Sequence, residues 1–495
     1  MAFCSSSDIF TWLQNLPPVT QWKTNSMSMC ICRTSPLPSL NLSVVINDQS
    51  QTLTFFIIAN LNMPIILWSS KPFKVSTKSS NLLDEQTISN LLINLIEVIL
   101  CYDSNKSNQS FVKISTSYFI STIKDIFNFV FLTLAFLICI YEAPTNLRSS
   151  CLNILKNNLI TCRMREASKS LMKLLGSNLE EQWMRSLNLA ITNWIIELQA
   201  THHSLKTPSP LFSYAISTYG LWKVQLYCPL IAMDIEHSSN PLSDEKLQFS
   251  LNYHQLEGVI QFNYRVILQE KYINLMVNTD NIRYNIVRII NEKLMVEQGV
   301  GAEEKHFPSR IFLQLTPTIQ TNILSVSVSK SSNNPQREIE IEKNLEAAFD
   351  PPNTFLGLKA AVAETTTTSL KPWKFEQSVI GYSVNLNWFL HDSIDGREVF
   401  SSKPSKISLL NPRAWFKDRY SSAYRPFTRH GGVIFAGDEY GQHVNWKIDK
   451  SAIGSTMEWE IRGWIWVTYW PNKYRTFYNE TRKLEFRELL NVEIV

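Results

Sequence analysis

The chain has 495 residues, 44% hydrophobic and 18% charged, too long for a single core and too apolar for disorder over most of its length. Its 47 basic and 43 acidic residues leave a formal charge of +4, spread too evenly to mark a phosphate-binding surface, so nucleic acid is not expected as a partner.

The opening MAFCSSSDIFTWLQNLPPVTQW carries no basic residue before Lys23 and no sustained apolar run. It is therefore not read as a secretory signal, and the expected compartment is the cytoplasm or nucleus. The eight cysteines lie in the first half, several within apolar helical patterns, and are expected to be reduced. Cys30 and Cys32 form a C-x-C that lacks the second pair or the histidines a zinc site needs, so no metal is expected there.

Residues 40 to 69 alternate as strands, LNLSVVIND, QTLTFFIIANL and PIILWSS, with a turn signal at Asn47-Asp48. Period then changes. In LLDEQTISNLLINLIEVILCY, Ile88, Leu91, Leu92, Leu95 and Ile99 fall on one helical face behind Asp84 as N-cap. Residues 126 to 141, IFNFVFLTLAFLICIY, are apolar but short of the roughly 20 residues of a spanning helix. They read first as a buried core helix or strand pair, with membrane association as the alternative.

From about 145 to 204 the pattern is helical, with Gly176 stopping one helix and Ser177 with Glu180 forming a capping box for the next. Trp183 and Trp194 lie on its apolar stripe. KTPSP, with Pro208 and Pro210, ends the helix and marks a domain boundary. Beyond it the period is two: Leu247, Phe249, Leu251 and Tyr253 suggest one antiparallel strand, Ile260, Phe262, Tyr264, Val266 and Leu268 the next. Residues 281 to 297 fit either a helix or a strand, and TTTTS at 365 to 369 either an edge strand or an insert.

The last third holds eight tryptophans, from Trp373 to Trp470, and nine of the fourteen glycines lie between 357 and 463. Read as a strand, EWEIRGWIWVTYW places Met457, Trp459, Ile461, Gly463, Ile465, Val467 and Tyr469 on a core face. Glu458, Glu460, Arg462, Trp464, Trp466, Thr468 and Trp470 fall on the other. Three indoles on a solvent side need a cover, supplied by the chain itself or by a ligand. Trp464, Trp466 and Trp470 are accordingly candidate ligand-binding residues. Arg419, Tyr420, Tyr424, Arg425 and Arg429 of RYSSAYRPFTR join them as an arginine-aromatic loop. A hairpin is expected at Asp395-Gly396. His391, Asp392, Asp395, His430, Asp438 and Glu439 are the available acid-base groups, but none has a spacing that a reaction demands. No nucleotide, cofactor, hydrolase-elbow or zinc-protease motif occurs, so neither a catalytic residue nor a cofactor is assigned.

The segments CSSSDIFTWLQNLPPVTQWKTNSMSMCIC, NLEEQWMRSLNLAITNW, TPSPLFSYAISTYGLWKVQLYCP, NLNWFLHDSIDGREVF, RYSSAYRPFTR and GWIWVTYWPNKYRTFYNETRKLEFRE, spanning nearly the whole chain, resemble a plant-specific family of uncharacterised proteins. Some of its members carry an insecticidal crystal toxin domain label. The resemblance implies a plant origin and lends no catalytic residues. Crystal toxins begin with an apolar helical bundle, whereas this chain begins with strands.

The resulting expectation is an α+β protein: a strand-and-helix lobe over 1–206, then a β-rich lobe of one or two antiparallel sandwiches, divided into domains 207–345 and 346–495. The expected function is non-enzymatic binding or scaffolding, for a protein or carbohydrate ligand, through the aromatic sheet face and the Arg/Tyr loop. The alternatives are a membrane-associated protein using residues 126–141 and a carbohydrate-active enzyme with two carboxylates across a groove.

Overall fold

The structure, a computed structural model, describes residues 8–33, 38–47, 49–74, 82–102, 123–201, 211–231, 252–290, 305–329, 337–343, 364–370, 373–390, 433–436, 443–470 and 480–494. The chain is α+β and divides into two compact units, Met1–Thr207 and Pro208–Val495.

The first unit holds helix α1 (Ile9–Gln14), strands β1 (Ser26–Arg33), β2 (Ser39–Asn47), β3 (Thr52–Asn60), β4 (Ile65–Ser69) and β5 (Phe73–Lys74), and helices α2 (Glu85–Cys101), α3 (Ile123–Tyr141), α4 (Thr145–Leu159) and α5 (Cys162–Thr201). Its sheet is an antiparallel meander in the order β1-β2-β3-β4, with β5 also on β3. Alternation does what the sequence demands: Leu40, Leu42, Val44 and Ile46 of β2 and Leu53, Phe55, Ile57 and Ala59 of β3 are buried. Helix α4 packs against β1 and β2, bringing the Cys32 thiol to 4.0 Å from the Cys151 carbonyl oxygen. The seven described cysteines are free thiols, and burial pushes Cys139 up to about 12, so it is an inert core residue.

The Asp84 carboxylate accepts the Thr87 amide hydrogen at 2.8 Å, capping α2 as its sequence indicates. The apolar run 126–141 is helix, not a strand pair. All fifteen residues from Ile126 to Ile140 are buried, because α1, α2, α4 and α5 surround α3. Its 19 residues are long and apolar enough to cross a bilayer, yet in this conformation fifteen of them are buried in protein. One polar residue inside it organises the chain start. Asn128 accepts the Phe10 amide hydrogen at 2.9 Å and donates to Asp8 at 3.1 Å. Burial would raise the Asp8 carboxyl, but hydrogen bonds from Lys124, Thr11 and Asn128 outweigh it and hold it well below the usual carboxylate range. Helix α5 breaks at Gly176, whose φ of 73° lies in the left-handed region. Trp183 is fully buried, whereas Trp194 is half-buried, edge-on to Phe136 with Lys156 over its ring.

The second unit comprises β6 (Phe212–Thr218), β7 (Leu221–Leu230), β8 (His254–Leu268), β9 (Ile273–Arg288), β10 (Lys305–Pro317), β11 (Ile323–Val328), β12 (Arg337–Lys343), β13 (Glu364–Leu370), β14 (Trp373–Ile380), β15 (Ser383–Leu390), β16 (Val433–Ala436), β17 (His443–Ile448), β18 (Thr456–Trp470) and β19 (Glu480–Glu493). Two antiparallel sheets form a sandwich: β11-β17-β9-β8-β7-β6 with β16 also on β9, and β14-β15-β10-β18-β19. Among the described residues, strands β12 and β13 pair only with each other. Tryptophans from both sheets meet in the core, with Trp459 of β18 at ring-centroid distances of 5.7 Å from Trp222 and 5.9 Å from Trp446. Both sides of the sandwich are laced by hydrogen bonds. Ser213 of β6 donates to Glu488 of β19 at 2.6 Å, and Gln377 of β14 donates to the Ser329 carbonyl, just after β11, at 2.7 Å.

The structure bears on three sequence expectations. A division at 345/346 does not separate domains, since β10 lies between β15 and β18 while β9 carries β16 and β17, so each sheet mixes strands from both segments. Residues 281 to 288 complete β9 as strand, because every second side chain enters the sandwich: Ile282, Tyr284 and Ile286 are buried. Tyr253 has φ of 61° and stands at the bend before β8; the rest of the expected strand 247–251 lies outside the described residues.

Candidate functional site

The segment that raised the question of a ligand is β18, and its two sides behave differently. Met457, Trp459, Ile461, Ile465 and Val467 are buried in the sandwich core. Gly463 belongs to the same face, and the gap it leaves is filled by Phe486 of β19, directly opposite in register; a Cβ there would stand 2.0 Å from the ring.

The outer side is built from register. Across β15, β10, β18 and β19, one row contains Phe389, Arg310, Trp466 and Lys483. The Arg310 guanidinium lies between two rings, 4.6 Å from the centroid of Phe389 and 4.6 Å from that of Trp466, and donates through Nε to Asn387 Oδ1 at 3.1 Å. On the far side of Trp466 the Lys483 ammonium stands 5.7 Å from its centroid and 5.5 Å from that of Trp464. The next row places Asn387, Phe312, Trp464 and Glu485 side by side, with Phe312 edge-on to Trp464 at 5.1 Å. Arg462, two residues before Trp464 on the same strand, covers that indole at 5.5 Å and donates to Glu485 at 3.1 Å. Arg487 donates to Glu460.

Trp464 and Trp466 are thus half-buried under the side chains of neighbouring strands. Lys483 is exposed, and the Trp466 row carries cations without a carboxylate. The nearest acids of the outer face are paired with cations: Glu485 and Glu376 in the adjacent row with Arg462 and Lys374, and Glu460 further along β18 with Arg462 and Arg487. Such a surface can hold an anionic group against an aromatic backing.

Trp470 ends β18, paired in register with Lys305; its side chain is outside the described residues. Arg419, Tyr420, Tyr424, Arg425 and Arg429 lie outside them too, as do His391, Asp392, Asp395, Gly396, His430, Asp438 and Glu439. Sequence reasoning missed Arg310, Phe389 and Lys483. Strand alternation could have placed each on an outer face, but bringing Arg310 to Phe389 and Trp466 depends on pairing across 79 and 156 positions.

A second cluster lies inside the sandwich. His254 of β8 and His306 of β10 are buried, with ring centroids 4.9 Å apart. Burial first, then His254, Arg482 and Arg288, push His306 well below the usual histidine range. The imidazole is therefore neutral at physiological pH. Cys228 of β7 is also buried, which pushes its thiol up to about 12. Among the described residues no group of three or more His, Cys, Asp or Glu is placed to hold a metal ion.

These features define a chain with a mixed strand-helix unit and a tryptophan-rich antiparallel sandwich whose outer face is lined by cations and aromatics. No protein-family model and no curated protein matches it. Solved structures found similar over part of the chain include Clostridium perfringens delta-toxin, at 9% identity, 58% of this chain, 93% of that chain and a TM-score of 0.23. The membrane-inserted form of the Clostridium perfringens NetB toxin matches at 9% identity, 57% of this chain, 100% of that chain and 0.21. A structure described as a pore forming protein matches at 10% identity, 58%, 98% and 0.19. TM-scores this low do not define a shared fold.

Proposed function

We propose that this chain is a non-enzymatic binding protein whose second unit holds an acidic segment of a protein partner on the Trp466 row of the outer sheet face. The observation that carries the reading is the alternation Phe389, Arg310, Trp466, Lys483 across four adjacent strands. Aromatic and arginine side chains dominate the energetics of protein interfaces, and cations backed by rings are partly desolvated, which strengthens their pull on a carboxylate. A neutral carbohydrate fits less well. Sugar rings stack on uncovered aromatic faces, whereas here Arg310, Arg462 and Lys483 already lie against the indoles. A carbohydrate-active enzyme is not favoured either, because Glu460 and Glu485 are neutralised by Arg462 and Arg487 on one flat face.

The test uses the full chain with three probes: a peptide of alternating glutamate and phenylalanine, polygalacturonate, and a set of neutral oligosaccharides. The peptide is expected to bind with an affinity that falls as salt rises, and Lys483→Glu is expected to weaken it at least about tenfold. Binding of the neutral oligosaccharides, or peptide binding indifferent to Lys483→Glu, overturns the reading.

A further inference from the structure

Among the described residues, strand β4 is an edge of the first unit's sheet, hydrogen-bonded to β3 on one side only. Native edge strands are usually guarded by charges, above all lysine. This one is not. The stretch Gln49 to Ser70, which includes both β3 and β4, has 22 residues and no charged side chain. The turn into β4 and its first residues are open to solvent, with Met63 78%, Ile65 44% and Ile66 60% exposed, while Leu67 and Trp68 are half-buried.

We infer that β4 pairs with the β4 of a second copy of this chain, joining two sheets edge to edge about a two-fold axis. Three features select this occupant. The outward backbone groups of β4 can be exchanged from water to a pairing strand, whereas a lipid interior offers them neither donors nor acceptors. The strand is complementary to itself. Antiparallel pairing centred on Leu67 sets Ile66 against Trp68 of the copy and Ile65 against its Ser69, and a β-branched residue opposite an aromatic is a favourable cross-strand pair. With no charge on either strand, self-pairing meets no like-charge repulsion. The ladder is short and carries a bulge, since Leu67 is the extra residue between Trp68, opposite Ile57, and Ile66, opposite Ile58. The contact is therefore small, and the dimer is expected to dissociate in the micromolar range.

Sedimentation velocity of the full chain over a hundredfold concentration range tests the pairing. The wild type is expected to shift from monomer to dimer, and Ile66→Lys to raise the dissociation constant at least about tenfold. Ile66 is exposed, so the variant keeps its fold; an unchanged unfolding midpoint verifies this. Lys483→Glu, on the other unit, is expected to leave the dimer intact, which separates this inference from the binding reading above. A wild type that stays monomeric throughout, or a dimer indifferent to Ile66→Lys, overturns the pairing. So does a monomer that floats with phosphatidylcholine vesicles and loses that property on Ile66→Lys, since the patch would then serve a lipid surface.

Discussion

The guanidinium of Arg310 lies 4.6 Å from the indole centroid of Trp466 on the adjacent strand, although 156 positions separate the two in sequence. That contact, with Phe389 on the other side of the same guanidinium, answers why a solvent-side strand carries tryptophans: the cover is cationic and comes from the sheet itself. Arg310→Ala removes a half-buried group between two rings and leaves Asn387 without its donor, so a loss of about 1–3 kcal/mol is expected. Lys483→Ala, at an exposed ammonium, should change stability by less than about 1 kcal/mol. Urea unfolding of the two variants gives the order; equal losses contradict the sandwiched geometry.

Gly463 is required by its neighbour, not by its backbone. A methyl group at this position meets the Phe486 ring at 2.0 Å, so Gly463→Ala is expected to destabilise by about 1–3 kcal/mol. Shortening the ring in Gly463→Ala/Phe486→Leu should recover part of the loss. A double variant no more stable than the single one argues against this contact as the cause.

Asn128 is the polar fastening of the chain start to the buried helix. Asn128→Leu keeps the number and branching of side-chain heavy atoms but leaves the buried Phe10 amide without its acceptor, at an expected cost of about 1–3 kcal/mol. Hydrogen exchange localises the effect: the amides of Ile9 to Gln14 should exchange faster, while those of α5 change little.

Acid should loosen the sandwich near His306. Its folded pKa is depressed relative to the unfolded value of about 6.5, so below that pH the unfolded chain binds a proton the folded one refuses. Stability contributed by the neutral imidazole is full above about pH 6.5 and falls as the pH drops from there toward the folded pKa, with a slope of at most about 1.4 kcal/mol per pH unit for one site. The charged and titratable groups that act on it are His254, Arg482 and Arg288, none of which relieves an added positive charge. Unfolding midpoints of the wild type and His306→Phe, measured between pH 5 and 8, should diverge most at the acid end. Asp8 works in the same direction lower down: its folded pKa is depressed, so its contribution is present above about pH 3.9 and is lost as the pH falls through the folded value.

Local signals were legible where chemistry is local. The Asp84 cap, the break at Gly176 and the two-sided burial of β18 each follow from residues within a few positions of one another. The apolar run 126–141 was legible as buried, but whether as strand or helix was not, because an unbroken apolar run has no period from which to choose. The same ambiguity affected residues 281–288, which become strand only because β8 and β16 flank them.

Composition and alternation by themselves determined that this protein is α+β, that Trp459, Trp464, Trp466 and Trp470 share one strand, and that Trp459 points inward. Which strands lie side by side was decided only in three dimensions. Chain segments that read as two domains interleave into shared sheets, and that interleaving sets Arg310 and Lys483 on either side of Trp466. The physical reason is that a strand's inward and outward faces are fixed by its own period of two, whereas its neighbours are fixed by hydrogen-bond registers closed over tens to hundreds of residues.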